Sequence, residues 1–147
     1  KYIHGGERVL DLGCGSGILS IAALVLGARE AFACDIDEKC VDVAYENAAL
    51  NGIGKDRYTV RWGDVLTDKA LQAEFGGDYD IVVANIVADV IIGLAPSVRQ
   101  FLKPGGLFLC SGIIDDRAEE VFTRLRADGW TVIEQHDSEG WYSFLCR

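Results

Sequence analysis

The sequence predicts a Rossmann-like α/β fold: a mostly parallel seven-stranded sheet, helices on both faces, and a C-terminal antiparallel strand pair. Three observations lead there. A short apolar strand, Arg8–Leu12, runs into the glycine-spaced turn Gly13-Cys14-Gly15-Ser16-Gly17 and then into an apolar helix. Buried-type strands then alternate with segments of helical periodicity as far as Leu125, the pattern of βα units on a parallel sheet. The last two strands are joined only by Asp137-Ser138-Glu139-Gly140. That link is too short for a parallel crossover, so the two pair antiparallel or lie apart.

Each element has a local reason. Gly17–Leu26 is apolar nearly all round, as a helix buried against a sheet must be, and Gly27 closes it. Glu30–Asp35 is a second strand ending in an acid. Asp37-Glu38 opens the next helix, where negative charge suits the dipole. Val41, Ala44, Tyr45 and Ala48 form its apolar stripe, and Asn51-Gly52 stops it. Tyr58–Trp62 is a third strand, followed by Gly63-Asp64 and a polar region up to Asp78. Tyr79–Ala84 is a buried-type strand that ends at Asn85. Val87, Ile91, Leu94, Val98 and Phe101 fall at helical spacing, with Pro96 set to kink or restart the helix. Lys103-Pro104-Gly105-Gly106 is a turn and Leu107–Ser111 a fifth strand. Ala118, Val121, Phe122 and Leu125 mark an amphipathic helix capped by Gly129, ahead of strands at Trp130–His136 and Trp141–Cys146.

Composition narrows the function. A chain of 147 residues suits one domain over residues 1–147, burying ~70% of the surface its unfolded form exposes. No apolar stretch is long or uninterrupted enough to span a bilayer and no signal peptide is visible, so a soluble domain without membrane contact is expected. The net charge of −9 argues against direct nucleic-acid binding, which needs a basic patch. It is compatible with a basic protein partner, and serves solubility equally well. Five cysteines without a C-x-x-C pair indicate free thiols in a reducing cytoplasm. His4 and His136 are the only histidines, too few for a metal cluster at the usual spacings. The chain holds no methionine, which leads to the expectation that it is part of a longer protein.

The glycine turn selects the ligand class. Dinucleotide folds use G-x-G-x-x-G, with the third glycine packing helix on strand. Here Gly13 and Gly15 fit, but Ile18 occupies the third slot and the extra glycine is Gly17. Asp11-x-Gly13-x-Gly15-x-Gly17 after an apolar strand resembles the first motif of class I S-adenosylmethionine (SAM) methyltransferases. A tight structural turn could need the same residues. Asp35 closes the second strand, where an acid hangs over the crevice and accepts from ribose hydroxyls; Ile36 follows it and is counted with it at the cofactor. Asp35 could instead cap the next helix. Asp64 is placed for an adenine amino group, although turn chemistry explains Gly-Asp equally. Asp11 lies beneath the turn, to orient glycine-loop amides or to face the ligand's ammonium, since burial demands such partners. Asn85, at the crevice end of the fourth strand, can accept a hydrogen bond from an amine and hold its lone pair toward a methyl group. It could instead cap the helix at Val87.

Several motifs taken together carry a family resemblance. D-L-G-C-G-S-G-I-L-S-I-A-A (Asp11 to Ala23), C-D-I-D (Cys34 to Asp37), E-N-A-A-L-N-G (Glu46 to Gly52), V-V-A-N-I-V-A (Val82 to Ala88), L-K-P-G-G (Leu102 to Gly106) and S-G-I (Ser111 to Ile113) resemble the PrmA family. These are bacterial methyltransferases of the large-subunit ribosomal protein L-eleven. The resemblance implies SAM as methyl donor and N-methylation of the α-amino group and lysine side chains of the ribosomal partner. Carried over by motif, Gly13, Asp35 and Asn85 are SAM-contacting positions, with Asn85 also nearest the acceptor amine. The family's N-terminal substrate-recognition domain and its Thr-containing segment before the first strand have no counterpart here. The N-P-P-Y tetrad of many other amine methyltransferases is also absent, because Ile86-Val87-Ala88 follow Asn85. Two alternatives stay open: a class I enzyme acting on another protein lysine or a small-molecule amine, and a non-catalytic nucleotide-binding module. Ile18 in place of glycine argues against a nicotinamide-dependent oxidoreductase.

Overall fold

The structure is a computed structural model and describes residues 1–147. Seven strands form one sheet in the order β3-β2-β1-β4-β5-β7-β6. β1 (Arg8–Leu12), β2 (Glu30–Asp35), β3 (Tyr58–Trp62), β4 (Tyr79–Asn85) and β5 (Leu102–Ile114) run parallel. β7 (Trp141–Cys146) lies antiparallel between β5 and β6 (Val132–Ser138). Of the two arrangements open to the terminal strands, they adopt antiparallel pairing.

Helices α1 (Ile18–Val25) and α2 (Lys39–Leu50) pack on one face; α3 (Lys69–Phe75), α4 (Ala88–Leu94) and α5 (Asp115–Ala127) pack on the other. The strand period of two decides which side chain meets which layer. Leu10 and Leu12 of β1 join the α3–α5 core, while Val9 joins the α1–α2 core. Asp11 shares the parity of Val9, so its carboxylate is carried under α1. Cys14, Cys34, Cys110 and Cys146 are buried, and all five thiols are free, as the sequence indicates. No helix is long and apolar enough to cross a membrane.

Four boundaries depart from the sequence reading. The polar region after Asp64 contains a helix, α3. The Asp68 carboxylate accepts from the Leu71 amide at 3.0 Å and caps it, and Leu71 and Phe75, one turn apart, bury its inner side. Two apolar anchors in a polar stretch are too few to give a periodic signal. The Pro96 break is complete: α4 stops at Leu94 and a separate 3-10 turn takes Val98–Phe101.

β5 begins at Leu102 and continues to Ile114, with residues 103–106 looped out between the Tyr79–Leu102 and Ile81–Leu107 pairs. The turn expected there interrupts the strand instead of preceding it. β6 starts at Val132 because Trp130 is drawn into the core, where its indole N–H donates to the Ala95 carbonyl at 2.9 Å. Glu139 and Gly140, at φ 52° and 83°, make a two-residue hairpin turn. Two consecutive left-handed residues match the twist of paired strands, so pairing extends to Ser138.

Candidate active site

Strand order reverses between β1 and β4, and their carboxyl ends part to leave a crevice, the usual ligand position in such sheets. A cavity of about 310 Å³ opens there, within the range of small-molecule sites. Gly13, Asp35, Ile36 and Asp64 line it, with Ile86 and Val87 on the opposite wall. The structure thus brings together four of the seven sequence-predicted site residues. Asp11, Gly15 and Asn85 stand outside the lining.

Gly13, Gly15 and Gly17 all have left-handed backbone, at φ 77°, 54° and 85°. A side chain at Gly13 would collide with Ile86 across the switch, and a Cβ at Gly17 would come 2.8 Å from the Tyr58 hydroxyl. The amides of Gly13 and Cys14 both donate to the Cys34 carbonyl at 2.9 Å. The Gly15 amide donates to Asp35 Oδ2, also at 2.9 Å. Gly15 therefore serves the site by fixing Asp35.

Asp35 Oδ1 accepts from the Asp37 amide at 2.9 Å. It does not cap α2, whose N-cap is Glu38 and makes no side-chain bond. Two oxygens braced by backbone hold the carboxylate at the cavity wall, and each keeps a further lone pair for a ligand. Ile36 is 74% exposed, and its carbonyl accepts from the Trp62 indole N–H at 3.1 Å. The sequence reading did not single out Trp62; a bulky aromatic at a strand's carboxyl end was the available signal. Asp64 Oδ1 accepts from the Leu66 amide at 2.9 Å, the turn chemistry foreseen for it, while Oδ2 is left without a protein donor.

Asp11 departs from expectation. No glycine-loop amide reaches it. Its Oδ2 accepts from the Ser20 amide at 3.2 Å and from the Ser20 hydroxyl, because strand parity points it at α1. Asp11 is 1% exposed, and Oδ1 has no partner in the protein. Burial pushes the carboxyl up to about 6, against the lowering effect of the Ser20 hydrogen bonds.

Asn85 ends β4, exposed beside the cavity. It does not cap α4, whose N-cap is Val87 without a side-chain bond. Its amide finds no donor or acceptor within the protein. Of the groups able to take a proton, His136 pairs with Glu134 on β6 and His4 precedes β1, so neither borders the cavity. Burial raises the thiols of Cys14 and Cys34, the latter to about 12, which leaves them protonated and without nucleophilic character at neutral pH.

Solved structures share this layout. A ribosomal protein L11 methylase from Lactobacillus delbrueckii subsp. bulgaricus superposes with a TM-score of 0.88 at 30% identity, covering 99% of this chain and 72% of that one. An RNA methyltransferase from Salinibacter ruber, in complex with S-adenosyl-L-homocysteine, has a TM-score of 0.71 at 21% identity over 95% of this chain and 78% of its own; this likeness concerns the fold alone. The strand order, the glycine turn and the acids at the ends of β2 and β3 define the class I methyltransferase fold. The family model for ribosomal protein L11 methyltransferase (PrmA) matches residues 1–147. A ribosomal protein L11 methyltransferase of Agathobacter rectalis is 46% identical over 151 residues, which is 100% of this chain and 47% of that protein. The chain belongs to the PrmA family, and spans about half the length of such relatives.

Proposed function

We propose that this chain is the catalytic part of a cytoplasmic SAM-dependent N-methyltransferase whose acceptors are the α-amine and lysine amines of a large-subunit ribosomal protein. Family membership supports the acceptor, and recognition of that protein is assigned to the part of the longer relatives that these residues do not span. One observation of the site carries the cofactor: the amides of Gly13, Cys14 and Gly15 are already engaged by the protein's own oxygens. A dinucleotide's pyrophosphate needs such amides free at a helix N-terminus. The Ser20 amide in the first turn of α1 is likewise taken, by the buried Asp11 carboxylate. A phosphate-free nucleoside suits the arrangement.

The residues present fit such a donor. Asp35 has lone pairs for ribose hydroxyls and Asp64 Oδ2 is available to an adenine amino group, and both residues line the cavity. When bound, SAM supplies a methyl group on a sulfonium. In-line transfer leaves the protein little covalent work, so alignment and exclusion of water are its contribution. Asn85 Oδ1 accepts a hydrogen bond from the amine and keeps its lone pair toward the methyl group.

A lysine near its usual pKa of ~10.4 must lose a proton first, at a cost of roughly 4.6 kcal/mol at pH 7, against about 1 kcal/mol for an α-amine. Neither histidine borders the cavity and its carboxylates Asp35 and Asp64 are assigned to the donor, so the proton leaves to solvent as the ammonium is desolvated. The rate on lysine therefore rises about tenfold per pH unit between 6 and 9 when chemistry limits. A flat profile under that condition contradicts this route. Calorimetry with SAM and NAD tests the cofactor: SAM binds and NAD does not. Mass spectrometry of amine acceptors then tests the substrate, and methylation confined to small amines or to an unrelated protein's lysines overturns the ribosomal assignment.

A further inference from the structure

We infer that Gly112 is the positioning residue that aims the Asn85 amide, which deepens the proposed role of Asn85 and rests on it. The exposed Asn85 side chain makes no hydrogen bond within the protein, and its amide oxygen lies against the Cα of Gly112. Asn85 pairs with Ser111 at the end of the β4–β5 ladder, and the Ile86 amide donates to the Ser111 carbonyl at 3.2 Å. One residue on, the β5–β7 pairing is broken between Cys110 and Ile113. Such irregularities add a residue and bend the strand, and they recur beside active sites. Gly112 sits in this one at φ +78°.

The bend presses the bare Cα of Gly112 against the Asn85 amide. A Cβ built there would lie 2.5 Å from Asn85 Oδ1, and 3.3 Å from both the amide nitrogen and the carbonyl oxygen of Ile86. Carbon and oxygen in contact need close to an ångström more than 2.5 Å, so any side chain at 112 drives the amide oxygen off its line. A displacement of that size at a group that aligns reactants can cost about 10²-fold in rate. Glycine here leaves the room that the amide oxygen occupies, and any side chain at 112 takes that room away.

Gly105 provides the matched control. It has the same φ of +78°, but a Cβ there meets nothing within 4 Å. Gly105→Ala reads the backbone strain alone, whereas Gly112→Ala reads strain plus the contact with Asn85. In the full-length protein, Gly112→Ala should lower kcat on a lysine acceptor roughly 30- to 100-fold, with Kd for SAM within about threefold. Gly105→Ala should leave both nearly unchanged.

In an Asn85→Ala background the oxygen is gone, and Gly112→Ala should change kcat less than about twofold further. If Gly112→Ala does not fold, Gly112→Asn, which tolerates left-handed backbone and carries the same Cβ, takes its place. A folded variant at 112 with kcat near wild type overturns the inference, as does a loss of the same size with and without Asn85. Full activity in Asn85→Ala alone overturns the role of Asn85 and is a separate result.

Discussion

The two halves of the sheet's carboxyl edge are built on opposite plans. On the β1–β2–β3 side the functional acids are braced by backbone. Asp35 is held by the amides of Gly15 and Asp37, Asp64 by that of Leu66, and Asp11 by Ser20. On the β4–β5 side the amide of Asn85 has no such support and rests against the bare Cα of Gly112. A ligand that stays bound through the reaction suits rigid, charged partners. An acceptor that must enter, react and leave suits a neutral group aimed by packing.

Substitutions on the braced side sharpen this contrast. The largest effect is expected for Asp35→Ala, which removes the ribose acceptor and frees the Gly15 amide. Hydrogen bonds to a charged group contribute about 1.5–3 kcal/mol, so calorimetry should show SAM affinity reduced roughly 100-fold. Unchanged affinity would break the contrast outright.

Asp11→Asn comes next, and its readout is stability. Burial raises the folded carboxyl to about 6 from its ordinary 3.8, so the folded state holds the proton more tightly than the unfolded chain. Its contribution is therefore fully present below about pH 4 and is lost as pH rises through 6. The shift corresponds to about 3 kcal/mol. The asparagine introduces an N–H₂ that needs an acceptor, so a net gain of about 2 kcal/mol is expected near pH 7.5. Urea denaturation of both proteins at pH 4 and 7.5 should show the difference growing with pH; a constant difference would contradict it.

Asp64→Asn should have the smallest effect. The amide oxygen still accepts from the Leu66 N–H, so the turn survives. The Oδ2 acceptor toward an adenine amino group is replaced by an N–H₂ donor, costing about 1.5 kcal/mol or roughly tenfold in SAM affinity. A hundredfold loss would mean that Asp64 carries as much of the ligand as Asp35 does.

The braced half was legible because its parts are local in sequence: a glycine turn after a strand, then acids closing β2 and β3. Even there, the parity that turns Asp11 toward Ser20 needed the position of α1, which the glycine motif does not give. The other half was less legible. Asn85 could be placed at a strand end, but its neighbour Gly112 lies 27 residues later. Their contact depends on a break in the pairing of β5 with β7, and no periodicity records such a break. Helix α3 escaped for a simpler reason, since only Leu71 and Phe75 anchor it, although Asp68 three residues before Leu71 was a capping signal in plain view.

The antiparallel insertion of β7 has a consequence for how the chain is made. The last strand of this sheet in chain order is an interior one, with β5 on one side and β6 on the other. Until residues 141–146 emerge, β5 keeps a naked edge and β6 has no partner in the sheet. Closure of the sheet waits for residues 141–146, and the nascent domain exposes an unpaired, aggregation-prone strand up to that moment.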